Sequence, residues 1–144
     1  MIRDALLTFS NAQAVTAAAA STNLIDLRSV RDMGVGEPLF IVTVVTVAMT
    51  DAASNSTLAR ILETDTLAAF GSPVTAQTLG TIPAISAAGT MLVERLGPFA
   101  VDEQFLRMFY TPANGDLTTG SFTSFICSAA HLYTAYGKGY EIDH

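Results

Sequence analysis

Between Pro38 and Asp51 the chain reads Leu39-Phe40-Ile41-Val42-Thr43-Val44-Val45-Thr46-Val47-Ala48-Met49, an apolar run that is β-branched at most positions. β-Branched side chains lose rotamer freedom in a helix and pack well on a pleated surface. The run is eleven residues long, and a membrane-spanning helix needs about 20. The pair Glu37-Pro38 sets its start. A buried central strand is the element it predicts.

The polar residues point the same way. Thr and Ser dominate, whereas Lys, Glu and Gln are rare, and exposed helix faces usually carry the latter. Abundant alanine favours helix, so pattern has to decide. Strand-like runs recur at Ala12–Ala20, Thr57–Thr64, Thr75–Leu79, Met91–Leu96, Phe105–Thr111 and Ser121–Cys127. Turn-forming clusters separate them at Ser21-Thr22-Asn23, Asp51 to Ser56, Gly71-Ser72-Pro73, Ala88-Gly89 and Asn114-Gly115-Asp116. Asn-Gly suits a turn with positive φ at both central residues, so Phe105–Thr111 and Ser121–Cys127 are expected to pair antiparallel. A helix over Leu58–Phe70 is the rival at one place, weakened by Thr64, Asp65 and Thr66 in its middle. The expected fold is all-β, a jelly-roll-like antiparallel β-sandwich of about eight strands. With 144 residues and no linker or repeat, one domain is expected over 1–144, with mobile ends at 1–10 and 137–144.

Composition excludes several function classes. Half the residues are hydrophobic and 14% are charged, unlike a disordered chain. The net charge is −6, with Lys138 the sole lysine, so nucleic acid is an unsuitable partner. No targeting or membrane segment stands out, and synthesis in the cytoplasm is expected. Cys127 is the single cysteine, which excludes an internal disulfide or a multi-cysteine metal site. Its apolar neighbours Phe125 and Ile126 mark it as a buried, unreactive thiol.

Few residues offer catalytic chemistry. His131 and His144 are the two histidines, and no metal-ligand spacing joins them. No nucleophile elbow is present. Gly34-Val35-Gly36 opens like a dinucleotide loop, but Leu39 takes the third glycine position. Glu63 and Asp65 lie two apart, and Asp51 with Asn55 lacks the closing glutamate of a calcium loop. No cofactor, no metal and no enzymatic activity are expected. Low charge on a small domain leaves surface for a partner or for copies of itself. Side-chain chemistry nominates Ile2, Leu6, Leu7 and Phe9 near the start, and Tyr133, Tyr136 and Tyr140 near the end.

An ordered series of stretches runs almost the length of the chain: Asn11 to Ala17, Ser21 to Leu27, Arg31 to Leu39, Leu62 to Asp65, Thr75 to Gly80, Leu96 to Ala100 and Tyr110 to Phe122. In these the sequence resembles the small capsid cement (decoration) proteins of tailed bacteriophages, in particular a family described in short-tailed phages. The resemblance implies a jelly roll without enzymatic activity, located on the outer capsid surface of the virion. It also implies a symmetric homo-oligomer, dimer or trimer, which stabilises the shell by bridging major capsid protein subunits. No catalytic or ligand residues come with it. On such a shell, Met1–Ser10 is expected to serve as an arm. Two other classes are weighed against it. A glycan-binding or head-surface module would favour exposed Trp, and there is none. A cupin-like enzyme would need a histidine-rich metal set.

Overall fold

The computed structural model describes residues 4–28, 37–97 and 103–129. A 3₁₀ turn at Ala5–Leu7 leads into nine strands: β1 (Thr8–Ala14), β2 (Ala19–Ala20), β3 (Ile25–Asp26), β4 (Leu39–Thr50), β5 (Thr57–Asp65), β6 (Val74–Thr78), β7 (Met91–Arg95), β8 (Phe105–Ala113) and β9 (Thr119–Ser128). The first sheet has the order β1-β9-β4-β7. The second has β2-β8-β5-β6, with β3 also on β8. Every pairing is antiparallel. Because β2 and β3 bind successive stretches of β8, they act as one interrupted edge strand. Nine strands thus fill eight positions, in the strand order of a jelly roll. Among the strands of the described residues, only β5 and β6 are sequence neighbours paired in one sheet.

The expected run at Ala12–Ala20 is redrawn. β1 begins four residues earlier, bulges where Ala12 takes φ 50°, and ends before the buried Val15. The helix over Leu58–Phe70 does not form, because alternate residues Leu58, Arg60 and Leu62 point into the core of a strand. The turn at Asn114-Gly115 does have positive φ at both residues, 68° and 117°. Yet the strands it joins lie in opposite sheets, which corrects the expected β8–β9 pair. A tight hairpin needs the second strand to resume directly after Gly115. Here Asp116-Leu117-Thr118 intervene, Leu117 is buried in the core, and its N–H donates to Thr16 O at 2.8 Å.

Both sheets turn apolar side chains inward: Phe9, Ile41, Val45, Phe122 and Ile126 from the first, Leu58, Leu62, Leu106 and Met108 from the second. A polar chain crosses this core. Arg60, fully buried on β5, reaches over to the first sheet. Its Nη2 meets Glu94 Oε2 of β7 at 2.6 Å, and its Nη1 donates to Thr43 Oγ1 of β4 at 2.7 Å. Nε and Nη2 both donate to Gly80 O, at 3.0 and 2.7 Å, while Gly80 N–H donates to Glu94 Oε1. A Cβ at Gly80 would lie 3.0 Å from that carboxylate oxygen, so glycine permits the close approach. Thr43 Oγ1 lies 2.9 Å from Ser124 Oγ, to which the Tyr110 hydroxyl donates at 2.9 Å. Ser10 Oγ is 2.7 Å from that hydroxyl and donates to Gln13 Oε1 at 2.9 Å. Burial lowers the pKa of Arg60 against the opposing pull of Glu94, and burial raises that of Tyr110. Each buried polar group in this chain has a partner, without which desolvation would cost about 1–3 kcal/mol per group.

Candidate interaction surface

Strand residues alternate between the two faces of a sheet. On β4, Ile41, Thr43 and Val45 face inward, so Phe40, Val42 and Val44 face outward. The register sets Phe40 beside Cys127 and Arg95, Val42 beside Phe125 and Val93, and Val44 beside Thr123 and Met91. Val42, Phe125 and Cys127 form a second apolar cluster, separate from the core, with Phe40 and Val44 packed against it. At its β7 side, Met91 and Val93 are each 38% exposed. The outer surface of an antiparallel sheet is commonly polar. This one is apolar across three strands, interrupted by Thr123 and by Arg95 at one corner, and its centre is out of solvent, with Val42 and Phe125 buried. The Cys127 thiol lies in it, buried, with its pKa pushed up by that burial, which leaves it a poor nucleophile.

The outer face of the second sheet is built differently. Glu63 of β5 lies opposite Arg107 of β8, whose Nε donates to Glu63 Oε2 at 2.8 Å. The Arg107 guanidinium also sits over the Phe70 ring, 4.1 Å from its centroid, and 5.4 Å from that of Phe109. Phe70 arrives there on the β5–β6 loop, which Asp65 ties down. Asp65 Oδ1 accepts from Leu67 N–H and Oδ2 from Ser72 N–H, both at 2.9 Å. Those bonds hold its carboxyl below the usual carboxylate range, against the opposing effect of burial. Asp51 plays a similar local part: burial would raise its pKa, but bonds from Asn55, Ser56 and Ala53 outweigh it. The carboxylates weighed for catalysis or calcium are thus engaged in ion pairs and loop caps. No cluster of three or more metal-ligating side chains occurs among the described residues.

The nominated surface residues divide. Leu6 is 63% exposed, and with Leu24 it flanks a shallow groove that also includes Thr8, Asn23 and Asp26. Leu7 and Phe9 do not belong to an exposed surface; they are 8% and 0% exposed and pack in the core. Phe9 falls on the inward parity of β1, which its neighbourhood of polar residues did not reveal. Within the end expected to be mobile at 1–10, residues 4–10 are ordered: Thr8–Ser10 are strand, and Asp4 Oδ1 caps the preceding turn through Leu6 N–H at 2.8 Å, while residues 1–3 and the end expected at 137–144 lie outside the described residues. Ile2, Tyr133, Tyr136 and Tyr140 lie outside the described residues, as do His131 and His144. Sequence reasoning missed Phe40, Val42, Val44, Met91, Val93 and Phe125. A signal was present, because Leu39–Met49 is apolar at both parities, whereas a strand wetted on one side alternates.

The described residues therefore form a jelly-roll sandwich with a polar network through its interior and an apolar cluster on one outer face that is exposed only at Met91 and Val93. The chain belongs to the Bbp16 family, whose model matches residues 9–126, from β1 through most of β9. No curated protein matches it.

Proposed function

We propose that this chain is a structural virion protein, a cement protein that binds the outside of an assembled phage capsid and bridges its major capsid protein subunits. The observation that carries the proposal is the exposed apolar pair Met91 and Val93 on edge strand β7, at the border of the buried outer cluster of the first sheet. Val42, Phe125 and Cys127 are already buried, while Met91 and Val93 beside them on β7 are each 38% exposed, and a sandwich that works alone in water gains nothing from leaving that apolar pair open. A partner surface that covers this pair buries apolar area and gains accordingly. The sequence resemblance to capsid cement proteins, the low charge and the jelly-roll fold support the same partner. Binding the assembled shell in preference to free subunits would stabilise the shell by mass action. Many copies on a lattice would add avidity to weak individual contacts.

The test is co-sedimentation of the protein with cement-free shells, beside the unassembled major capsid protein. Saturable binding to shells with little to free subunits is expected, and Val93→Lys should weaken it at least tenfold without unfolding the sandwich. Absence of shell binding at physiological salt overturns the proposal and leaves a glycan array as the next screen.

A further inference from the structure

A two-sheet sandwich has two open sides, where edge strands of the two sheets run past one another. Edge strands carry unpaired N–H and C=O groups that invite another chain. In this protein each side is bridged by one glutamine. On one side Gln13 of β1 donates through Nε2 to Ala20 O at 2.8 Å and accepts through Oε1 from Thr22 N–H at 2.9 Å. On the other, Gln77 of β6 donates through Nε2 to Arg95 O at 3.0 Å and accepts through Oε1 from Gly97 N–H at 2.9 Å. In both cases the carbonyl of residue i and the N–H of residue i+2 are taken by one primary amide. A peptide unit of an added strand has the same donor and acceptor to offer.

The intervening residue confirms which way these groups face. Leu96 N–H donates to Leu39 O at 2.8 Å, inside the first sheet, so Arg95 O and Gly97 N–H point to the open side. The β6–β7 side is sewn in the opposite direction too, since Glu94 of β7 accepts from Gly80 N–H just beyond β6. The β1–β2 side gains Asn23 N–H donating to Phe9 O at 2.9 Å.

We infer that Gln13 and Gln77 are edge seals, which keep a second copy of this chain from adding its edge strand to the sandwich. The occupant they exclude is a copy of itself, because the edge strands of one copy match those of another in length and register. The inference stands whatever partner the protein serves. It assigns docking to the faces and ends of the sandwich instead of to strand exchange.

The experiment uses Gln77→Ala and Gln77→Glu in the full chain, with a fluorescein-labelled peptide of residues 91–97 as the added strand. Gln77→Ala should keep the far-ultraviolet circular dichroism of the wild type. It should expose the Gly97 amide to at least tenfold faster hydrogen exchange, self-associate at lower concentration, and bind the peptide where the wild type does not. Gln77→Glu preserves the size and the acceptor for Gly97 N–H but replaces the donor to Arg95 O with a charged oxygen that repels it; it should show an intermediate exchange rate at Gly97 and intermediate peptide binding. If either variant folds and its association and peptide binding match the wild type, the inference is overturned.

Discussion

Arg60 and Glu63 lie three residues apart on β5 and so face opposite sides of the second sheet. Each belongs to an arginine–glutamate pair, at 2.6 Å for Arg60–Glu94 and 2.8 Å for Arg107–Glu63. The first pair crosses the interior and ties two sheets together. The second joins neighbouring strands on the outside, where Phe70 lies against the guanidinium. The inner arginine is wholly buried and its partner Glu94 keeps 26% of its side chain exposed, whereas Arg107 and Glu63 of the outer pair keep 18% and 11%. Distances are alike, so the difference lies in the arginines: Arg60 is out of water and also serves Thr43 and Gly80 O, whereas Arg107 stays partly wet. An interior ion pair replaces lost hydration, and its benefit appears chiefly when one partner is removed. An outer pair competes with water and gains little from charge alone.

The largest expected effect follows from that asymmetry. Arg60→Ala leaves Glu94, Thr43 and Gly80 O short of a donor and should destabilise the fold by about 3–5 kcal/mol in urea unfolding. Replacing both partners, as in Arg60→Met with Glu94→Leu, should cost less than Arg60→Ala alone, because no buried charge is then stranded. A double variant weaker than the single one would mean that the pair holds the sheets by direct attraction. Tyr110→Phe comes next. It removes the hydroxyl between Ser10 and Ser124 while preserving the ring stacked on Phe122 at 6.1 Å. A loss of about 1–3 kcal/mol is expected by the same measurement.

This contrast bears on what could be read from the sequence. The strand positions from Leu39 onward were legible, because β-branched runs and turn residues are local signals. The pairing was not. β8 and β9 follow one another and look like a hairpin, but the five residues Asn114–Thr118 carry the chain over the end of the sandwich. Arg60 also stood in view, flanked by Ala59 and Ile61. Its partners come from Thr43, Gly80 and Glu94, brought together only by closure of the two sheets. The apolar outer face was half legible: one strand announced it through apolar residues at both parities, whereas Met91, Val93 and Phe125 joined it through register. The glutamine seals gave no local signal at all.

The outer pair should respond more weakly. Arg107→Ala removes the bond to Glu63 and the stack on Phe70, for an expected loss of about 1–2 kcal/mol. Part of that penalty should vanish in 1 M salt, where screening acts within about 3 Å. The Arg60→Ala penalty should hold nearly constant over the same range. Equal salt dependence for the two variants would erase the distinction between them.

Acid offers the smallest and most local perturbation. Asp65 has a folded pKa below its ordinary value, through bonds from Leu67 and then Ser72. The unfolded chain, with an Asp pKa of about 3.9, takes up the proton first as pH falls. The contribution of Asp65 is therefore complete above that value and is lost as pH drops through the lower folded one. Hydrogen exchange at the Leu67 and Ser72 amides should accelerate below about pH 4, and the β5–β6 loop should release Phe70 from Arg107. Amides of β4 beside Thr43 should keep their protection at the same pH, since β4 lies in the other sheet and the Asp65 carboxylate bonds only within its own loop. Asp65→Asn should open the loop at neutral pH and flatten this acid response. If β4 and the loop instead lose protection together, the outer face and the interior open as one unit, and the two arginines report on a single cooperative structure.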